Sequence, residues 1–239
     1  MLGAFVCPIS RLAEFESAMP VLPSEWTIAA IAGPELNRDA HTVQNFNRRL
    51  AGLAQITSME ARYDGTRTIP PSIRSLPITQ GIKVYLECPW TGAGLEAVKI
   101  AGLKSKIRMG GTEPAAFPST EVAAAWISRC AELNLPFKAT AGLHHPLHGL
   151  RFLDPDVEAA PVRMHGFLNV LVASALGIQS GVKLSSVLEG EGAASFHFGD
   201  NTIGWREWRV PASVPILLQS FGSCSFEEPV RELKALGFI

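Results

Sequence analysis

Two lysines in short alternating stretches carry the sharpest chemistry in this sequence. Lys106 lies in "KSKIRMGG" and Lys138 in "PFKATAGLHH". A nearby cation and partial desolvation both favour the neutral form of a lysine amine, and a neutral amine attacks a carbonyl to form a Schiff base. Alternation places Lys106 and Arg108 on one face of the first stretch, opposite Ile107 and Met109, and Lys138 and Thr140 on one face of the second. Two earlier stretches repeat the pattern. "ITSMEAR" groups Ser58, Glu60 and Arg62, and "KVYLE" groups Lys83, Tyr85 and Glu87 opposite Val84 and Leu86. Glu60 or Glu87 is then the candidate acid/base partner, acting through water. Arg108 is the candidate holder of a carboxylate or phosphate through its bidentate fork. The same mixture of signs also suits a structural ion-pair network, because pairing relieves the cost of burial.

Two further groups bear chemistry. In "FGSCSFEEP", Gly222 and Ser223 stand where a helix begins, and free amides at a helix start favour an anion such as phosphate. Ser223 or Ser225 serves equally well there as a helix N-cap. His144, His145 and His148 cluster, with His165 further on. Adjacent histidines at a strand end point to opposite sides, so His144 and His145 read as substrate contacts rather than metal ligands. A loop that gathers the histidines would still make a metal site, but the expectation is neither a metal nor a cofactor. Cys224 has no base partner that the sequence identifies.

These residues need elements to hold them. "LGAFVCP", "WTIAAIAG", "AQITSMEARY", "GIKVYLECP", "KSKIRMGG" and "PFKATAGLHH" read as strands, and helical stretches separate most of them. The segment around Pro70 and Pro71 reads as a loop with a single helical turn. "STEVAAAWISRCAELN" reads as a helix capped by Ser119 or Thr120, with Val122, Trp126, Cys130 and Leu133 at helical spacing. Strands alternating with helices argue for a parallel sheet, and an eight-stranded (β/α)8 barrel is the expected closure, with an open doubly wound sheet second. A barrel mouth houses mid-strand charges that the dry interior of an open sheet does not. After Pro146 the pattern changes. "LHGLRFLDPDVEAAP" reads as a loop, "VRMHGFLNVLVASALG" as a helix and "AASFHFGDNTIGWREWRV" as a β-hairpin. One domain over 1–239 is expected, with an irregular insertion over 147–219.

Composition narrows the function classes. The chain has 239 residues, 47% of them hydrophobic, and a formal net charge of −1. That balance excludes a nucleic-acid footprint. The longest apolar run, "FLNVLVASALGI", is shorter than the ~20 residues a membrane span needs and contains Asn169, so it reads as a buried helix. Cys7, Cys88, Cys130 and Cys224 form no CxxC pair, and no secretory leader is visible, so a reducing cytoplasm is expected.

The order of these motifs resembles that of the deoxyribose-phosphate aldolase family, class I aldolases on a (β/α)8 barrel. "AFVCP" is similar to that family's second strand, "TIAAIAGP" to its third, "KVYLE" to its fifth, "KIRMGG" to its sixth and "FKATAG" to its seventh. "FGSCS" is similar to its phosphate-binding turn. "KATAGLHHP" also resembles a string in bacterial proteins of unassigned activity. The resemblance implies that Lys106 is the Schiff-base lysine and Lys138 the second lysine that tunes it. It places Gly142, Gly222 and Ser223 near a phosphate. Arg108 stands where the family has a small hydroxyl residue, and Glu60 stands in for its aspartate. It also implies a barrel lacking or replacing strand 1, whose gap the hairpin or a second copy of the chain would close.

The expected function is a Schiff-base-forming lyase or aldolase for a small, phosphorylated or unphosphorylated, carbonyl compound. The alternatives are a non-catalytic anion-binding barrel, and metal-assisted acid/base chemistry with Glu60, Glu87 and a histidine. The expected partner is a small anionic or carbonyl ligand, with neither nucleic acid nor membrane involved, and a homodimer is the expected assembly if a strand is missing.

Overall fold

A computed structural model describes residues 3–19, 26–153, 161–177, 179–214, 216–224 and 227–239. They fall into two compact units, one of residues 1–89 and 93–105, the other of residues 90–92 and 106–239.

The first unit is strand-helix alternation in its simplest form. Its strands are β1 (Phe5–Pro8), β2 (Trp26–Ile31), β3 (Ala54–Arg62) and β4 (Lys83–Glu87). They pair in sequence order, all parallel. The helices are α1 (Leu12–Ala18), α2 (Leu36–Arg49), α3 (Pro71–Gln80) and α4 (Leu95–Ile100). Parallel neighbours need such crossovers because the chain must return to the same end of the sheet. Phe15, Trp26 and Phe46 gather with Phe5 at ring separations between 5.7 and 6.5 Å, joining α1 and α2 to the strands.

Helix α3 replaces the loop expected from its prolines. Pro71 takes the first helical position, where its missing N–H costs nothing. Gly81 ends the helix at φ 65°. Pro77 inside the helix removes one backbone bond, and the complete burial of Ile73 and Leu76 offsets that loss.

Asn47 of α2 shapes β3. Its side-chain amide donates to the Ile56 carbonyl at 2.8 Å, and its oxygen accepts the Ile56 N–H at 2.7 Å. Immediately after Ile56 the register slips by one, from Ile28↔Ile56 to Ala29↔Ser58. This bulge sets Ser58 and Glu60 on one face and Met59 and Ala61 on the other.

The second unit begins within β5 (Lys104–Arg108), at Lys106. It continues through α5 (Thr120–Glu132), β6 (Phe137–Thr140), β7 (Gly149–Arg151), β8 (Val162–Met164), α6 (Phe167–Leu176) and α7 (Leu184–Leu188). Then come β9 (Phe196–Phe198), β10 (Thr202–Trp205), β11 (Trp208–Pro211), β12 (Leu218–Gly222) and α8 (Glu227–Ala235). Ser119 caps α5, its hydroxyl accepting the Val122 N–H at 3.3 Å. The buried stripe of α5 is Ala123, Trp126, Ile127 and Cys130; Val122, expected in it, is exposed.

Among the described residues the expected closed eight-stranded barrel is not formed. The strand order is β1-β2-β3-β4-β5-β6-β12, seven strands with β1 and β12 at its two ends. Phe5 and Val6 of β1 are 44% and 40% exposed. The region expected to fill a gap pairs internally instead. β7 and β8 form an antiparallel pair, and β9, β10 and β11 a separate antiparallel sheet. The expected hairpin is three-stranded because a second turn at Arg206, φ 50°, returns the chain and pairs Trp205 with Trp208. Its apolar residues have a use within their own unit, where β10 and β11 pack on α6. The expected helix from Val162 starts only at Phe167, because Val162–Met164 is the β8 strand.

Helix α6 is the apolar centre of the second unit, with every residue buried except Leu171. Its one amide, Asn169, is fully buried and accounts for itself by bonding. Its oxygen accepts the His148 N–H at 2.9 Å, and its NH2 donates to the Val187 and Gly190 carbonyls at 2.8 Å each. No helix among the described residues is long and apolar enough to cross a membrane.

Candidate functional site

The lysine face is built by three neighbouring strands. On β6, Phe137 meets Trp126 of α5 edge-on at 5.3 Å, so the adjacent Lys138 points to the opposite face. On β12, Phe221 stacks on Phe167 of α6 at 4.6 Å, which fixes the other parity there. A bulge at Gln219 shifts the β12 register, and beyond it Ser220 pairs with Lys138, Phe221 with Ala139 and Gly222 with Thr140. On β5, the Met109 N–H donates to the Thr140 carbonyl at 2.8 Å, which sets Arg108 level with Thr140 in a parallel ladder. Counting back two residues puts Lys106 level with Lys138.

Two rows result on the face turned away from α5 and α6. One is Lys106, Lys138 and Ser220; the other is Arg108, Thr140 and Gly222. Neighbouring members of a row are about one strand spacing apart, roughly 4.8 Å. Lys106 is 7% exposed and Lys138 5%, whereas Arg108 at the strand end is exposed. The rows thus run from buried amines to an open cationic rim. Ser220 belongs to this group although simple alternation along "LLQSFGS" does not place it, because the bulge interrupts the count.

The loops beyond these strands are held by two glycines. A Cβ on Gly142 would lie 2.9 Å from Gly110 Cα and 2.8 Å from the Phe117 ring, and one on Gly110 would lie 2.8 Å from Gly142 Cα. Ala141 and Gly142 are both left-handed, φ 63° and 68°. This double left-handed turn swings the chain out of β6, so "LHH" is no longer strand.

That turn alters the geometry of the histidines. His144 and His145 do not diverge as on a strand but both face the start of α8, with ring centroids 6.4 Å apart. His145 Nδ1 lies 2.8 Å from Glu232 Oε1, and His144 Nδ1 lies 3.9 Å from Glu228 Oε2. Cys224 Sγ lies 3.6 and 3.7 Å from the two nitrogens of His144. Near-equal distances put the sulfur along neither lone pair, which is not the in-line arrangement that activates a thiol. Burial pushes His144 below the ordinary imidazole range, with Glu228 pulling the other way. The first turn of α8 already carries Glu227 and Glu228, which satisfy the positive end of that helix in place of an external anion. Ser223 is half-buried beside Gly222, and Ser225 lies outside the described residues.

His148 and His165 form a second, separate pair, with ring centroids 6.1 Å apart. They line a cleft of about 510 Å³ with Thr120, Arg163, Glu189 and Glu191. Thr120 donates its hydroxyl to Glu189 at 2.9 Å. His165 is 1% exposed and bonds the Pro118 carbonyl through Nε2 at 2.7 Å, so that nitrogen carries the proton and Nδ1 is a bare acceptor. Burial is the main cause that pushes both imidazoles below their ordinary range. The unfolded chain therefore takes up protons more readily than the folded one as pH falls. Stability from these two groups is fully present above about pH 6.5 and is lost progressively below it. Urea titrations are expected to give a lower midpoint at pH 5 than at pH 7.5. The difference should shrink in His165→Gln; an equal difference in that variant contradicts the assignment to His165.

Glu60 and Glu87 belong to the first unit. Glu60 is buried level with Tyr85, whose hydroxyl is pushed up to about 12 by burial first and by the Glu60 charge second. Glu87 is half-buried at the end of β4, level with Arg62. All four cysteines are free, and Cys224 alone is exposed; burial pushes the Cys88 thiol up to about 12. Glu228 and Glu232 are what sequence reasoning missed. Their spacing of one helical turn in "EEPVRE" is the signal that finds them, once the loop after β6 is known to reach them. No family model, curated protein or solved structure matches the chain.

Proposed function

We propose that the chain is a Schiff-base-forming lyase or aldolase for a small carbonyl compound, with Lys106 as the nucleophile. The observation that carries this reading is the row of two buried lysines on neighbouring strands of one unit. Two lysine amines buried level with each other on one face are a candidate chemical group, because lysines are seldom buried and such clusters are found at functional sites. In the reaction, the Lys106 amine adds to the carbonyl carbon, and the carbinolamine loses water to give an iminium ion. That iminium accepts the electron pair released when the neighbouring C–C bond breaks, while the hydroxyl on the departing carbon gives its proton to water and that carbon leaves as an aldehyde. The resulting enamine is then protonated on carbon and hydrolysed by water, which releases the second carbonyl product and the Lys106 amine. Thr140 and Ser220 supply hydroxyls along the same face. Arg108, exposed at the strand end, holds a carboxylate or phosphate on the substrate.

Borohydride trapping tests the proposal. The protein is incubated with a panel of small aldehydes and ketones, phosphorylated and not, then reduced and weighed by mass spectrometry. Reduction of an imine leaves a secondary amine, so the expected mass gain is that of the carbonyl compound less one oxygen. Peptide mapping should place it on Lys106. A panel-wide failure to trap, or labelling spread over exposed lysines alone, contradicts the reading.

A further inference from the structure

We propose that His145, Glu228 and Glu232 bind a divalent transition-metal ion of the Zn²⁺ type, with His144 and Cys224 beside it. One ligand atom from each of the three lies within 4.8 Å of the others. His145 is buried, and the two carboxylates are half-buried. Glu228 and Glu232 are one turn apart on α8, so they share a face and repel each other. A cation between them turns that repulsion into attraction. The set is one imidazole nitrogen and two carboxylate oxygens, which suits Zn²⁺, Mn²⁺ or Fe²⁺ better than Mg²⁺ or Ca²⁺. Three protein ligands leave a coordination position open.

The neighbours strengthen the assignment. His144 reaches Glu228 on one side and Cys224 on the other, at 3.9 Å and 3.6 Å. Five side chains of metal-binding type therefore converge from three segments: the loop after β6, the turn after β12 and the first turns of α8. Ligand atoms around tetrahedral zinc stand about 3.3 Å apart, given bond lengths of about 2.0 Å, so the set must close by up to about 1.5 Å at its widest, and the His145–Glu232 pair must open from its 2.8 Å hydrogen bond. Rotation of two half-exposed glutamates supplies that movement. The proposal stands independently of the Lys106 chemistry, because its test reads binding and not turnover.

The experiment uses the full chain, stripped with a chelator and titrated with Zn²⁺ by calorimetry. One ion per chain is expected, and His145→Gln and Glu228→Gln should each weaken binding about tenfold or more. His145→Gln also removes the bond to Glu232 and so tests folding as well. Glu228→Gln changes only a half-exposed carboxylate, so the comparison survives if the first variant unfolds. Co²⁺ in place of Zn²⁺ should give visible absorption of a four- or five-coordinate ion in the wild type and lose it in Glu228→Gln. The absence of stoichiometric binding by the wild type overturns the proposal. So does equal affinity in Glu228→Gln, which would mean that the Glu232–His145 bond serves only to dock α8.

Discussion

Lys106→Met is expected to abolish borohydride trapping of any carbonyl compound that the wild-type protein captures. Methionine keeps the length and the apolar stem of the side chain and removes the amine, so packing on β5 is conserved while the nucleophile is lost. The loss should be on the order of a thousandfold or more in trapping rate, because the amine that forms the imine is removed and Lys138 is assigned only a tuning role. Lys138→Met is expected to slow trapping while leaving its position on Lys106. Circular dichroism and the urea midpoint check that both variants fold. Equal trapping by Lys106→Met and wild type, both folded, would falsify the assignment of the nucleophile. Transfer of the label to Lys138 in that variant would mean that the two amines are interchangeable, which also contradicts it.

Asn169→Leu should be the most damaging single change in the second unit. Leucine has nearly the same shape, so no cavity forms. It leaves the His148 N–H and the Gly190 carbonyl without their partner, while the Val187 carbonyl keeps the Gly190 N–H at 3.3 Å. Each buried unsatisfied group costs about 1–3 kcal/mol, so the two groups together give a loss on the order of 2–6 kcal/mol. That is comparable with the whole stability of an ordinary domain, about 5–15 kcal/mol. Urea denaturation is the measurement, and a loss below about 1 kcal/mol would show that water satisfies these groups instead. His148 leads into the cleft, so the variant should also loosen that wall. A faster exchange of the His148 amide than of amides in α5 would report it.

Periodicity explains why most elements were legible. The strands β1 to β6 and helices α2 and α5 declare themselves through alternation, helical spacing and caps, all of which are local. The burial of Glu60, Lys106 and Lys138 also follows from alternation, since each sits mid-strand between residues that pack in the core. Helix α3 was hidden because its prolines suggest a loop, and only the burial of Ile73 and Leu76 holds it helical. In α5, Trp126 and Cys130 hold the expected stripe, and Ala123 takes the buried place expected of Val122, because the many alanines there fit either face.

By itself, then, the amino-acid sequence determined the strand-helix alternation, the parity that puts Lys106 with Arg108 and Lys138 with Thr140, and the buried character of α6. Those depend on neighbours a few positions away. Only the tertiary structure decided that the parallel sheet stays open, because alternation is common to open and closed sheets and closure rests on pairing between terminal strands. It also decided that Ser220 joins the lysine row, since a bulge is set by packing and not by pattern. And it alone brought His144 and His145 to Cys224, Glu228 and Glu232. That convergence depends on two left-handed residues at 141 and 142. Left-handed backbone at Ala141 is unfavourable for an isolated residue and is held there by the fold around it.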